Sequence, residues 1–182
     1  MITIDFESLR SGKVRMADAV RDIKLDDLRK DTEELFTNID AALEGMDDAA
    51  ATFVPHDPQG SEGDERGWPI SHIVPHLTAT LEEGAATAAA LARGVAVEQR
   101  LRYEVPWETL TSAEQVYARL RESRRMCLAF LDAWPDEPHL DLTITRIPPL
   151  GPMNAVATYV LSLLHGNGHL DQLRETLRQA KG

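Results

Sequence analysis

The segment "LLHGNGHLDQL", residues 163–173, separates two interpretations of the fold. Gly-Asn-Gly between two histidines is typical of a turn. A loop would interrupt helical spacing, yet apolar residues recur at steps of three and four on both sides of the glycines and through them. These residues are Val156, Val160, Leu163, Gly166, Leu170, Leu173 and Leu177. We therefore predict one helix over about residues 153–179, although each glycine weakens a helix by about 1 kcal/mol relative to alanine.

A second, polar stripe follows the same helix beside the apolar face. It consists of Ser162, His165, His169, Gln172 and Thr176. Residues four apart lie about 6 Å apart along the helix axis and on nearly the same side, so two imidazoles can bind one metal ion. A metal site with one open position usually has three protein ligands, so a third must come from another helix. We expect the glycines beside the histidines to leave room for a group larger than a side chain.

Three further helices are predicted, over about residues 25–45, 69–94 and 111–134. Their apolar spacing is clearest in the first and third, at Leu28, Leu35, Ile39 and Leu43 and at Val116, Leu120, Cys127 or Leu128, and Leu131. Pro75 lies inside the second, which predicts either a later start or a bend just before His76. Residues 56–67 are rich in Gly, Pro and charge and predict a loop, while 142–147 could be extended but has no partner strand.

The predicted fold class is therefore all-α, an antiparallel four-helix bundle with long connections, in a single domain over residues 1–182. The formal net charge of −11 excludes a nucleic-acid binder, which needs a basic surface. Cys127 is the only cysteine, so no internal disulfide can form, and a small buried hydrophobe is favoured over a reactive thiol. With no signal peptide and no apolar run of roughly 18 residues, we expect a cytoplasmic protein without a membrane segment.

The chain has six histidines from which a third ligand can come. His56 and His139 lie beside prolines in polar connections and are most simply solvated. The second helix offers His72 and His76, four apart; His76 lies at the edge of a buried face and His72 nearer the helix start. The HExxH pattern of zinc proteases is absent, because Gly166 follows His165.

Other polar and aromatic residues have simpler roles. A solvated face is expected for Glu82 and Glu83, and no carboxylate is identified as a general base. Tyr103, Trp107 and Arg146 lie in connections, where packing against helix ends or solvation is the simpler interpretation and a cap over the open end of the bundle is the alternative.

Two segments resemble DinB-type proteins. The first, "GWPISHIVPHL" at residues 67–77, is similar to the start of their second helix. The second, "HGNGHLDQL" at residues 165–173, resembles the HxxxHxxQ element that ends their last helix. The order of a first helix closing in "ATFVP", a third amphipathic helix and a "PLGPM" entry also matches, so the resemblance covers essentially the whole chain.

The resemblance implies a four-helix bundle with a divalent metal site of three histidines, found as zinc or nickel in members of the family. The ligands it implies are His76, His165 and His169. Gln172 falls on the family's glutamine and is interpreted as local support and not as a ligand. Whether His72 is a fourth ligand stays open at this point.

Three neutral imidazoles leave a metal's charge uncompensated, so it can activate bound water or a bound thiol. Some DinB relatives are transferases or isomerases that use low-molecular-weight thiols such as mycothiol, bacillithiol or glutathione. The resemblance therefore favours a thiol-dependent S-transferase or isomerase of small electrophiles. A metal-dependent hydrolase and a non-catalytic metal or small-molecule binding protein remain the alternatives. A small-molecule substrate is expected, and a homodimer through the apolar first and third helices is left open.

Overall fold

The computed structural model describes residues 4, 9, 13–56, 65–97 and 99–182. Within these ranges we number the helices in chain order and give their bounds here. They are α1 (Met16–Ala19), α2 (Leu25–Ala42), α3 (Asp48–Thr52), α4 (Ile70–Ala92), α5 (Ala113–Asp132), α6 (Ala155–Gly168) and α7 (Leu170–Lys181). The described part of the chain contains no β-strand, so the all-α class is confirmed.

The long helices begin and end close to where the sequence predicts. The apolar stripe of α2 is fully buried, and Cys127, not Leu128, occupies the buried face of α5. The Ser112 side chain caps α5 by accepting from the Gln115 backbone N–H at 3.3 Å. The Asn154 side chain caps α6 by accepting from the Ala157 N–H at 3.0 Å. Hydrophobic periodicity and polar caps together therefore set the ends of these helices.

Helix α4 is the central element and begins at Ile70, so the later start considered for this helix is wrong. It continues through Pro75, which has no N–H to donate to the Ser71 carbonyl four residues earlier. The helix packs against both α5 and α6, and that packing holds the turn in place despite the missing bond. Its apolar and small residues are accordingly buried on most of its circumference.

The predicted C-terminal helix is two helices, which corrects the prediction of one continuous element. Helix α6 ends at Gly168, α7 begins at Leu170, and His169 lies between them with φ −88° and ψ −7°. The His169 N–H donates to the Gly166 carbonyl at 3.2 Å, three residues back instead of four. The turn is therefore tighter than in an α-helix, but the helix axis bends too little to move the apolar stripe out of line. All seven residues of that stripe are buried.

Some segments lie outside the four predicted helices. Helices α1 and α3 are short and were not predicted, because four or five residues carry too little periodicity. The 142–147 segment does have a partner, since Ile144 pairs with Met153 in a single antiparallel bridge. Of the predicted 56–67 loop, residues 57–64 lie outside the described residues, and Glu65–Gly67 forms a 3₁₀ turn.

The core lies where the faces of the long helices meet. Helix α4 contacts α5 and α6, while α2 contacts α5, α6 and α7. Leu28, Leu35, Leu77, Leu81 and Tyr159 are among its fully buried side chains. In the described parts of the chain, no helix combines the length and the apolar character that crossing a bilayer requires.

Candidate metal centre

Three imidazoles converge between α4 and the junction of α6 and α7. His76 comes from α4, His165 from the last turn of α6, and His169 from the junction itself. One nitrogen of each ring lies within 4.8 Å of the corresponding nitrogen of the others. The Nε2 atoms of His76 and His165 are 3.2 Å apart. The structure thus brings together the three residues that the family resemblance implies as ligands.

The ring of His169 is oriented by Gln172, one turn further along. The Gln172 Nε2 atom donates to the Glu65 carbonyl oxygen, which fixes the orientation of the amide. Its Oε1 atom therefore faces His169 Nδ1, at 2.8 Å, and accepts a hydrogen bond from it. Because Nδ1 carries the proton, Nε2 of His169 keeps its lone pair and is the nitrogen left to bind a metal.

The ring of His76 has two partners that favour opposite tautomers. The Nη2 atom of Arg102 lies 3.2 Å from His76 Nδ1 and can donate to it only when Nδ1 is unprotonated. The Glu104 Oε1 atom lies 3.9 Å from the same nitrogen, beyond hydrogen-bond distance, and its negative charge favours a protonated Nδ1. Arg102 also donates to Glu104 Oε2 at 2.6 Å and so holds this carboxylate beside the ring. Only the tautomer that Glu104 favours leaves Nε2 of His76 free to bind a metal.

Burial keeps the imidazoles of His76 and His165 neutral. Burial, followed by the charges of His169, His76 and Arg102, lowers the pKa of His165 to about 4. Burial, with the charge of Arg102 as the next contribution, also lowers the pKa of His76. Both rings are therefore unprotonated at neutral pH, which is the form that binds metal.

His72 is placed outside the cluster by aromatic stacking. Its ring lies between two indoles, 3.9 Å from the Trp68 ring at an interplanar angle of 18° and 4.9 Å from the Trp107 ring at 13°. Among the described residues, the group that could hold a metal ion consists of His76, His165 and His169 and does not include His72. Trp68 also presents an edge to His76 at 5.1 Å, so this stack forms one wall of the cluster. In this arrangement His72 is a packing residue.

The distance between α4 and α6 is set by a glycine that sequence analysis did not single out. A Cβ atom on Gly84 would lie 2.0 Å from Ser162 Oγ and 2.6 Å from Ser162 Cβ, so only glycine allows this approach. The expectation that the glycines beside the histidines leave room is wrong for Gly166, which packs against Leu35. A Cβ atom on Gly168 would meet no atom within 4 Å, so there is open space at that glycine.

Glu83 is buried, which corrects the expectation of a solvated face. It is 5% exposed and carries two ion pairs. Arg100 donates to both carboxylate oxygens, at 3.0 and 2.6 Å, and Arg146 Nη1 donates to Oε1 at 2.8 Å. Glu82 is likewise largely buried, in an ion pair with Arg119 of α5. Both glutamates were expected to be solvated because of their charge. Glu83 follows His76 by seven residues, however, and so lies on the same face of α4.

Replacing Glu83 with glutamine should destabilise the fold by about 1–3 kcal/mol at pH 7, less than the loss of a fully buried pair because Arg100 is largely exposed. Burial opposes ionisation of Glu83, but the hydrogen bond and charges of its arginine partners outweigh it and lower the pKa below 4.5. The contribution of the Glu83 ion pairs to the free energy of unfolding is thus complete above pH 4.5. It decreases as the pH falls through the folded-state pKa of Glu83. Chemical denaturation of both proteins at pH 7 and below pH 4.5 measures this; a difference that grows on acidification contradicts it.

The remaining candidate residues are dispersed. Cys127 is buried against Tyr159 and Ser123, and burial raises the pKa of its thiol to about 12, so it is not a nucleophile at neutral pH. His139 is exposed in the connection between α5 and α6, and Tyr103 is 73% exposed. Trp107 caps the His72 ring, and Arg146 pairs with Glu83, so neither is merely solvated.

The donor set fits a divalent ion. Two nitrogens that each bind zinc at about 2.0–2.1 Å with tetrahedral geometry lie about 3.3 Å apart. The 3.2 Å separation of the His76 and His165 nitrogens agrees with that value. Neutral imidazole suits zinc and nickel. The fold and site together define an all-helical protein with a candidate metal centre of three histidines.

Comparison with known families agrees with this class. The family model of the DinB superfamily matches residues 24–173, which include all three clustered histidines, and the chain belongs to this superfamily. Searches of curated proteins and of solved structures gave no match.

Proposed function

We propose that the chain holds one divalent ion, zinc or nickel, through His76, His165 and His169, and that it is a thiol-dependent S-transferase or isomerase of small electrophiles. The observation that supports this most is the approach of three ring nitrogens to within 4.8 Å of one another. The proposal includes the finer fold, in which α2, α4, α5 and the α6–α7 pair form an antiparallel four-helix bundle around the site. A homodimer remains a prediction that sedimentation of the purified protein would test.

When bound at three neutral imidazoles, a divalent ion lowers the pKa of a thiol or water in its open position. The residues of this chain orient the ligands. Gln172 fixes the tautomer of His169, Glu104 can hold the proton of His76 on Nδ1, and Trp68 covers the edge of the His76 ring. A site preorganised in this way needs few further groups if the reacting partner brings its own nucleophile.

The carboxylates near the cluster favour thiol transfer over hydrolysis. A hydrolase usually needs a general base to manage protons during water attack. Glu83 is engaged by two arginines, and these partners lower its pKa below the ordinary value for a glutamate. Glu104 is held by Arg102. A thiol that releases its proton to solvent on binding needs neither of them.

Conjugation of thiols tests the proposed activity. The zinc-loaded protein is incubated with monochlorobimane and, in separate reactions, mycothiol, bacillithiol or glutathione, and the fluorescent conjugate is followed. We expect at least one thiol to react more than 10-fold faster than without protein, and the acceleration to disappear in His165→Ala while His139→Ala retains it. A protein that binds zinc but accelerates none of the three reactions is the outcome expected of a binding module, and hydrolysis of ester probes instead would favour the hydrolase.

Replacing Glu104 with alanine should weaken zinc binding about 10-fold, the lower end of the usual effect of a change behind a metal-binding histidine, because the carboxylate lies 3.9 Å from the ring nitrogen. Without that carboxylate, Arg102 favours the His76 tautomer whose Nε2 carries a proton. Competition with a chromophoric chelator measures the affinity. Glu108→Ala is the matched control, since Glu108 lies exposed in the same connection. Equal affinity in both variants would show that Glu104 does not position His76.

A further inference from the structure

A cleft of about 690 Å³ opens beside the histidine cluster, between α4 and α6. Its lining includes His165 and Thr80 and also Glu83, Arg100 and Arg146, which form its arginine end; Glu83 lies seven residues, about two turns, from His76 along α4. Its volume is within the range of sites for small molecules. Neither the sequence motifs nor the three-histidine site accounts for this cleft.

The arginine end carries excess positive charge. Arg100 and Arg146 share the single carboxylate of Glu83, so the three side chains sum to one positive charge. Arg146 is also positioned by donating to the Gln99 carbonyl oxygen at 3.2 Å. This excess stands out in a chain with a formal net charge of −11. An anion is the ligand that such a pair of guanidinium groups binds best.

The remaining walls of the cleft are mainly apolar. They are formed by Ile147, Met153, Leu161 and Leu164, with Thr158 and Ser162 among them. The Thr158 hydroxyl is buried and has no hydrogen-bond partner within the described protein. Thr158 and Ser162 are the polar side chains of these walls, and the Thr158 hydroxyl oxygen has almost no exposed surface.

We propose that the cleft binds a small organic acid, with its carboxylate on Arg100 and Arg146 and its apolar body against Met153 and Leu164. The helix face from His76 to Glu83 rises roughly 10 Å over seven residues, which sets the length of the acid. Placing the reacting end of this acid at the histidine cluster rests on the proposed function. The carboxylate subsite itself does not, because Arg100 and Arg146 are held by Glu83, about two helical turns along α4 from His76.

Octanoate, which is about this long and carries one carboxylate, is the probe. Titration is performed on protein freed of metal with a chelator, so that the carboxylate cannot bind an ion. Calorimetry gives the affinity, and the methyl resonance of Met153 reports occupancy of the cleft. We expect octanoate to bind at least 10-fold more tightly than octanol and to shift the Met153 signal.

Arg146→Gln should weaken octanoate binding at least 10-fold, whereas Arg121→Gln, which changes an arginine on α5 that pairs with Glu114, should not. Circular dichroism shows that each variant is folded. Because the titration uses protein freed of metal, failure of the metal proposal would leave this result unchanged. Equal affinity for octanol, unaltered binding to Arg146→Gln, or binding without a Met153 shift would each overturn the proposal.

Discussion

Replacing His165 with alanine is expected to reduce bound zinc from about one equivalent to less than a tenth after dialysis against a weak chelator. His165 lies at the centre of the cluster, with its ring 5.1 Å from His76 and 4.7 Å from His169 between centroids. Loss of a direct ligand should weaken affinity by more than the 10- to 100-fold typical of changes behind the ligands. The His76→Ala and His169→Ala variants should behave in the same way.

The matched control is His139→Ala, which removes an exposed histidine from a connection. Elemental analysis of protein purified without a histidine tag gives the stoichiometry, and circular dichroism shows whether each variant is folded. If all four variants keep one equivalent, the metal lies elsewhere and the assignment of the cluster is wrong. If only one of the three cluster variants keeps it, that residue is not a ligand.

The second large effect concerns Gly84, where α4 and α6 approach most closely. Gly84→Ala places a methyl group 2.6 Å from Ser162 Cβ, a contact that requires the helices to move apart. Overpacking of this kind costs about 1–3 kcal/mol, with the upper end expected here because the Ser162 Cβ cannot rotate away. For a chain of this size that corresponds to a fall in Tm of roughly 5–10 °C. Zinc affinity should fall as well, since His76 and His165 lie on the two helices that separate.

Two further variants test whether the contact with Ser162 causes the loss of stability. Gly168→Ala adds a methyl group to open space close to the cluster and should be neutral or slightly stabilising. Ser162→Gly should rescue Gly84→Ala, because it removes both atoms that the new methyl group would meet. Thermal melts of the single and double variants measure this coupling. Additive effects without rescue would mean that another contact limits the distance between these helices.

Sequence spacing predicted the local structure of this chain well where one face of a helix is buried. The seven-residue stripe through "HGNGH" is buried along its whole length, and the α2 stripe at Leu28, Leu35 and Ile39 is buried too. The break at His169 was not predicted. The apolar spacing continues through it unbroken, so local periodicity carries no signal for the break.

The environment of the histidines was predictable in part. Spacing placed His165 and His169 on one side of a helix, and the family resemblance supplied His76. The same spacing rule also placed Glu83 on the His76 face, but its burial depends on Arg100 and Arg146, 17 and 63 residues away. Long-range ion pairs of this kind require knowledge of how the connections fold. The sandwich of His72 between two indoles likewise depends on a connection that carries Trp107 back over the start of α4.

The most direct test is a crystal structure of the zinc-loaded protein with diffraction recorded at energies above and below the zinc absorption edge. If the three histidines bind one ion, we expect one anomalous peak about 2.0–2.1 Å from a ring nitrogen of each of His76, His165 and His169. A peak bound by other side chains, or three rings too far apart to share one ion, would contradict it.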